Sequence, residues 1–211
     1  MRKIIFLSVF AVLVACSKKE VLLPEAEITV IKNVDNLSPV YIFFEKNGND
    51  TLADLNRKNT ITSTNYIFNI DKRLPMRLVV PEVNFVLKKK EASPHKSETA
   101  QNYFSYSDTK ARNLAFLNMQ LVHLKQGKYK GNFPVQVSKT GAIQIQGKPI
   151  AMDKVMAFLV QIPSDKPIKP QFQFDHNITY GDYLRFRIAV SQWKFPALGG
   201  TWFTEDWFSK R

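Results

Sequence analysis

Apolar and polar positions change period several times along the chain, and each change marks a predicted element. EITVIKNV (27–34), PVYIFFEKNGND (39–50) and NYIFNID (65–71) alternate or cluster β-branched and aromatic residues between turn formers, so each reads as a strand. Asn47 and Gly48 mark a hairpin turn after the second. Helical spacing follows from Met76 to Lys90, with Pro81 inside it expected to kink the helix or delay its start. The polar stretch 91–113 has no period and is expected as a loop with at most a turn of helix. LAFLNMQLVHL (114–124) fits strand and helix equally at its length.

From Phe133 onward the pattern is cleaner. PVQVS and AIQIQ are two short period-two runs joined by the turn KTG. In IAMDKVMAFLVQI, Met152, Val155, Met156, Leu159 and Ile162 recur at helical spacing, and Asp153 lies where the helix dipole favours an acid. Pro163, Pro167 and Pro170 end that helix, and QFQFD alternates as the next strand. Thr179 and Asp182 stand three apart before YLRFRIAVSQW, an acidic form of the capping box, so a helix is expected to open there. Gly199 and Gly200 turn the chain into TWFTEDWF, a closing strand. The expected fold class is α+β: in residues 133–211, strand, strand, helix, strand, helix, strand, with a small mixed sheet and its helices on one face. A second strand-rich α+β region is expected at 27–126, joined by a linker at 127–132.

The N-terminus adds a location. Arg2 and Lys3 precede an apolar run from Ile4 to Ala15, too short to span a bilayer and of the length of a secretory signal core. LVAC resembles a bacterial lipobox, with small Ala15 before the cleaved bond and the Cys16 thiol placed to receive a diacylglyceryl group. On that reading residues 1–15 are a signal peptide, Cys16 is lipidated, and 16–26 is a short tether to a membrane that the mature chain does not cross. Ser17 in place of Asp fits an outer membrane better than an inner one, on its periplasmic face or at the cell surface; CSKKE also looks like lipoprotein starts common in Bacteroidetes. Cys16 is the one cysteine of the chain, which excludes disulfides within it.

Thirty Lys and Arg against eighteen Asp and Glu give a formal charge of +12, which favours anionic partners without choosing among them. Secretion argues against nucleic acid. His95, His123 and His176 show no metal-ligand spacing, and no phosphate loop or nucleophile motif appears, so neither metal, cofactor nor enzymatic activity is expected. The chemically dense stretch is FQFDHNITYGDY. Asp175, His176, Tyr180 and Asp182 could form a cluster, but Asp175, Thr179, Tyr180, Gly181 and Asp182 are accounted for as a structural motif that opens a helix. Arg185 and Arg187, with Trp202 and Trp207, are the candidate binding surface, since flat rings stack on sugars; core packing is the alternative use of those aromatics.

VQVSKTGAIQIQGKPIAMDKVMAFLVQI followed by FQFDHNITYGDYLRFRIAV resembles the periplasmic domain of the ExbD and TolR biopolymer-transport family, over about residues 133 to 195. Asp175, Tyr180 and Gly181 fall at the family's spacing, while Thr179 stands where the family often has proline. Asp71, Leu74 and Pro75 line up with Asp175, Ile178 and Thr179, an echo of the same words in the first half, although the first helix has no counterpart between Ala53 and Thr64. Members of the family carry an Asp in a membrane-spanning helix; no acid lies between Ile4 and Ala15, so a proton-channel role is excluded on that plan. The resemblance then implies a binding or scaffold component beside an ExbD or TonB-type energy-transduction or transport system, with a protein or peptidoglycan partner and a homodimer formed through the soluble module. The alternative expectation is a surface lipoprotein that binds glycan or another anionic ligand.

Overall fold

Two mixed sheets of six strands share one apolar core. The structure, a computed structural model, describes residues 19–120, 122–130, 134–162, 171–193 and 204–209. The first sheet holds β1 (Glu25–Ala26), β2 (Leu37–Asn47), β3 (Asp50–Asn56), β4 (Asn65–Ile70), β5 (Asn102–Asp108) and β6 (Asn113–Asn118), with α1 (Met76–Glu91) between β4 and β5. The second holds β7 (Val122–Gln126), β8 (Pro134–Val137), β9 (Ile143–Ile145), β10 (Lys148–Ile150), β11 (Gln171–Phe174) and β12 (Thr204–Phe208). A 3₁₀ turn (Met152–Lys154) leads into the short α2 (Val155–Val160), and α3 (Tyr180–Ser191) follows β11. The α+β expectation holds.

Both sheets follow one path. In the first, β2 and β3 form an antiparallel hairpin, β4 lies parallel to β2, β5 parallel to β4, and β1 parallel to β5. In the second, β8 and β9 form the hairpin, and β11, β12 and β7 follow in the same orientations. α1 crosses from β4 to β5 as α3 crosses from β11 to β12, as parallel pairing requires.

The two helix starts meet in a seam. Met76 N–H donates to Ile178 O (2.9 Å) and Tyr180 N–H to Leu74 O (2.7 Å); Arg77 N–H donates to His176 O (2.8 Å) and Gly181 N–H to Lys72 O (3.0 Å). Each bond of a pair is converted into the other by exchanging the two halves under one shift in numbering, the shift that carries Leu74 to Ile178 and Met76 to Tyr180. Pro75 and Thr179 pair across the centre. The orphan N–H groups of both helix starts thus find partners in each other's loops.

Several elements differ from expectation. NYFSYSD, inside the expected loop, is β5, because Phe104 and Tyr106 face the core between neighbours on both sides. EITVIKNV is not a regular strand: Ile31 makes a single bridge to Phe116 and Ile28 is exposed. β7 lies before the expected linker yet belongs to the second sheet, where it pairs with β12. α1 runs through Pro81, which lies on its exposed side, and starts upstream of it at Met76. The expected tether is already part of the fold from Lys19: Lys72 N–H donates to Leu22 O (2.7 Å), Leu22 N–H to Asp71 Oδ2 (3.2 Å), and β1 joins β5.

Candidate functional site

The Asp175 stretch keeps its acid beside its imidazole but does not bring the phenol or Asp182 to them. Asp175 N–H closes the strand onto Val137 O (2.9 Å), and its Oδ1 accepts from Asn177 N–H (2.7 Å). Thr179 Oγ1 accepts from Asp182 N–H (3.1 Å) and donates to Asp182 Oδ2 (2.6 Å), which is the expected cap. Tyr180 points into the core with its ring edge-on to Phe104 at 5.6 Å; burial raises the phenol well above its ordinary range, and among the described residues its hydroxyl has no hydrogen-bond partner. Gly181 is the point of closest approach, because a Cβ there would stand 3.1 Å from Lys72 Cβ and 3.2 Å from Lys72 O. His176 turns towards the C-terminal strand, with Nδ1 3.3 Å from Ser209 Oγ. Asp175 Oδ1 does lie 3.8 Å from His176 Nδ1, but the Tyr180 phenol is turned into the core and Asp182 is taken up by the cap. The equivalent Asp71 is locked harder. Burial would raise its carboxyl, but Arg73, forked onto both oxygens at 2.8 and 2.7 Å, and the backbone N–H groups of Arg73 and Leu22 outweigh that and hold it low.

Of the candidate binding surface, Arg187 is a correction. Its side chain is 8% exposed and its Nη1 lies 3.5 Å from Asp206 Oδ1, itself fully buried, because α3 is covered on nearly every side. Asp206 Oδ2 accepts from the Tyr183 hydroxyl (2.7 Å), and burial, then the Asp206 charge, pushes that phenol well up. Arg185 does remain outside, paired with Asp182. Trp207 is partly buried on the helix-free face of the second sheet, its Nε1 donating to Glu205 Oε2 (3.2 Å) and its ring 6.1 Å from Tyr129. Ala15, Cys16 and Trp202 lie outside the described residues.

A cleft of about 480 Å³ opens at the C-terminal end of α1, between Lys88, Lys90, Lys96, Asn102 and His123. Lys90 lies at its inner wall with Nζ 4.1 Å from the Tyr66 ring centre, donating to Asn102 Oδ1 (2.9 Å) and Gln101 O (3.3 Å). Loss of water lowers its pKa to about 8. All the hydrogen-bond acceptors it has are neutral, so the ammonium serves as a plug between helix and sheet. Among the described residues no group of three or more His, Cys, Asp or Glu side chains converges to hold a metal ion.

The two helix-free faces differ in kind. On the first sheet this face carries Tyr41, Phe43 and Leu52 from the hairpin, Ile67 and Tyr103 from the centre, and Leu114 and Phe116 from β6, interspersed with Glu45, Asp54, Asn69, Ser105 and Asn118, as the pairing register requires. Phe43, Ile67 and Phe116 are buried, yet they stand apart from the core that all the other buried apolar residues share. On the second sheet one row reads Gln144, Gln136, Gln173, Trp207, Lys125 across five strands. Sequence reasoning passed over the first face. Its signal was the lack of alternation in VYIFF and NYIF, runs apolar on both sides of a strand. No family model, curated protein or solved structure matches the chain.

Proposed function

We propose that the protein is a lipid-anchored, non-enzymatic binding component of a bacterial cell envelope, acting beside an energy-transduction or transport system. The observation that carries this reading is LVAC ending at Cys16, directly after a short apolar run headed by Arg2 and Lys3. Support for the partner class comes from the order of the second half, hairpin, helix, strand, helix, strand, which agrees with the resemblance to the ExbD and TolR module. No helix among the described residues is long and apolar enough to cross a membrane, so acyl chains on Cys16 would be the means of attachment on this reading. Two acyl chains hold a protein stably, at about 0.8 kcal/mol per buried methylene.

The test is mass spectrometry of the N-terminal peptide after expression of the full chain in a Gram-negative host. A diacylglyceryl or triacylated Cys16 is expected, with Cys16→Ala shifting the protein out of the membrane fraction. An unmodified Cys16 refutes the anchor. Cross-linking in native membranes is expected to recover a motor or TonB-type component, and recovery of none refutes the partner class.

A second reading has its own observation. The Gln136 and Gln144 amides, beside the half-buried rings of Trp207 and Tyr129, offer planar donors and acceptors next to ring surface, the chemistry that fits a glycan. Calorimetry with soluble peptidoglycan fragments is expected to show binding that Trp207→Ala removes; binding unchanged in that variant sinks it.

A further inference from the structure

We propose that the helix-free face of the first sheet is the membrane-facing surface of the anchored protein, and that its partner is the lipid leaflet holding the Cys16 acyl chains. The inference rests on the lipid-anchor reading and adds an orientation to it.

Chain length comes first. Lys19 is fixed to this face: its ammonium pairs with Glu45 and with Asp54 (2.7 Å) and lies 6.0 Å from the Phe43 ring centre. Cys16 is three residues upstream, and three residues span at most about 11 Å even fully extended. A body whose chain is clamped this close to its anchor cannot turn freely, and the face at Lys19 is the one held against the lipid.

The chemistry of the face agrees. Tyr41, Leu52 and Leu114 are 37%, 43% and 45% exposed on it, around the separate apolar group of Phe43, Ile67 and Phe116. Tyrosine with a wet hydroxyl and an apolar ring suits the headgroup level of a bilayer. Lys19 offsets one of the two charges of Glu45 and Asp54, Lys58 borders the same shallow hollow, and Arg57 lies over the Phe85 ring of α1, so the rim is close to neutral and contact with the leaflet would rest on the apolar groups. The second sheet shows that the fold itself does not demand them. On the same five-strand path, without a counterpart of β6, it presents glutamines, Trp207 and Lys125 at the matching side. The apolar groups that this face leaves exposed, Leu52 and Leu114 above all, point to an apolar partner, and the nearest one by covalent length is the leaflet.

Acylation consumes the Cys16 thiol, so single cysteines can be placed elsewhere and labelled. Leu52→Cys and Leu114→Cys probe the proposed face; Gln136→Cys and Gln144→Cys probe the second sheet. Each acylated full-length variant, with its far-ultraviolet spectrum unchanged, is reconstituted in vesicles of phosphatidylethanolamine and phosphatidylglycerol and labelled with an environment-sensitive fluorophore. Nitroxide-bearing lipid is then added. The expected result is a blue shift and loss of emission at positions 52 and 114, and an unchanged spectrum at 136 and 144. Quenching at 136 and 144, or equal quenching at all four, overturns the face assignment while leaving the anchor intact. A Cys16 found without acyl chains overturns anchor and face together.

Discussion

Replacing Arg187 with methionine is expected to destabilise the protein far more than an ordinary core substitution, and neutralising Asp206 in the same chain is expected to reverse most of the loss. The two charges are 8% and 0% exposed and 3.5 Å apart. At an effective dielectric near 20 their attraction is about 5 kcal/mol, most of which offsets the loss of hydration. Removing one partner leaves the other charge buried, at a loss of about 3–5 kcal/mol. Among the described residues Arg187 Nε and Nη1 have no hydrogen-bond partner, so none of these residues offers them a second acceptor once Asp206 becomes Asn. Arg187→Met with Asp206→Asn removes both charges, keeps an amide oxygen for the Tyr183 hydroxyl, and is expected within about 1 kcal/mol of the parent. The first sheet supplies the precedent. Val83 and Phe104 occupy the positions matching Arg187 and Asp206, since Phe68 pairs with Phe104 as Phe172 pairs with Asp206, and that site is apolar throughout. Urea unfolding followed by circular dichroism and tryptophan fluorescence measures all four corners of the cycle. A double variant that loses the sum of the two single losses would show that the charges do not interact, and the reasoning would fail.

Three further expectations concern the seam and the Lys90 plug. Gly181→Ala is expected to lose about 1–3 kcal/mol, because its methyl would press on Lys72 Cβ and O at 3.1 and 3.2 Å; an unchanged urea midpoint contradicts the close approach. Thr179→Ala should lose about 1 kcal/mol with the cap, whereas Thr179→Pro should lose less: φ is already −70° there and Pro75 fills the matching place, so equal losses would refute the equivalence. Lys90 titrates at about 8 when folded and near 10.5 when unfolded, so the unfolded chain binds more protons between those values. The ammonium's desolvation penalty is therefore fully present below pH 8 and is relieved as pH rises towards 10.5. It is at most about 3 kcal/mol, and Tyr66 offsets about 1 of that. Lys90→Met is expected to flatten this rise in stability; an identical pH profile in both proteins would refute it.

The legible parts of the fold are those whose signals are local. Thr179 and Asp182 announce α3 because a cap needs only its own first turn, and KTG between two alternating runs announces the β8–β9 hairpin. The illegible parts depend on partners distant in sequence. β7 joins the second sheet through β12, close to the other end of the chain, and nothing inside VHLKQ names that partner. β5 is hidden because Tyr103 and Phe104 point to opposite faces and both are at least half-buried, which erases the alternation. Arg187 reads as a flank of an exposed helix until Asp206 is placed beneath it, and Glu205 next to Asp206 carries the same charge while facing the other side. The Asp175 cluster was readable as structure, but the job of His176, a contact to Ser209 with its carbonyl in the seam, depends on strand β12 and on Arg77.

Two copies of one chain path allow each half to act as a control for the other, and their differences sort by cause. The seam at Pro75 and Thr179 is nearly self-matching, so its polar groups are used up holding the halves together. Asp71 and Asp175 each turn a loop, one braced by Arg73 and the other by Asn177, which is local variation on one task. The Arg187–Asp206 pair lies inside, where a fixed geometry is all it can supply to an outside partner. The two helix-free faces differ most: the first mixes aromatic and aliphatic groups with acids, amides and serines, and the second is mainly amide and charged around Trp207. If the first face meets a lipid leaflet as proposed, the second, with Trp207, Tyr129 and the glutamine row, is the other helix-free face left for a different partner.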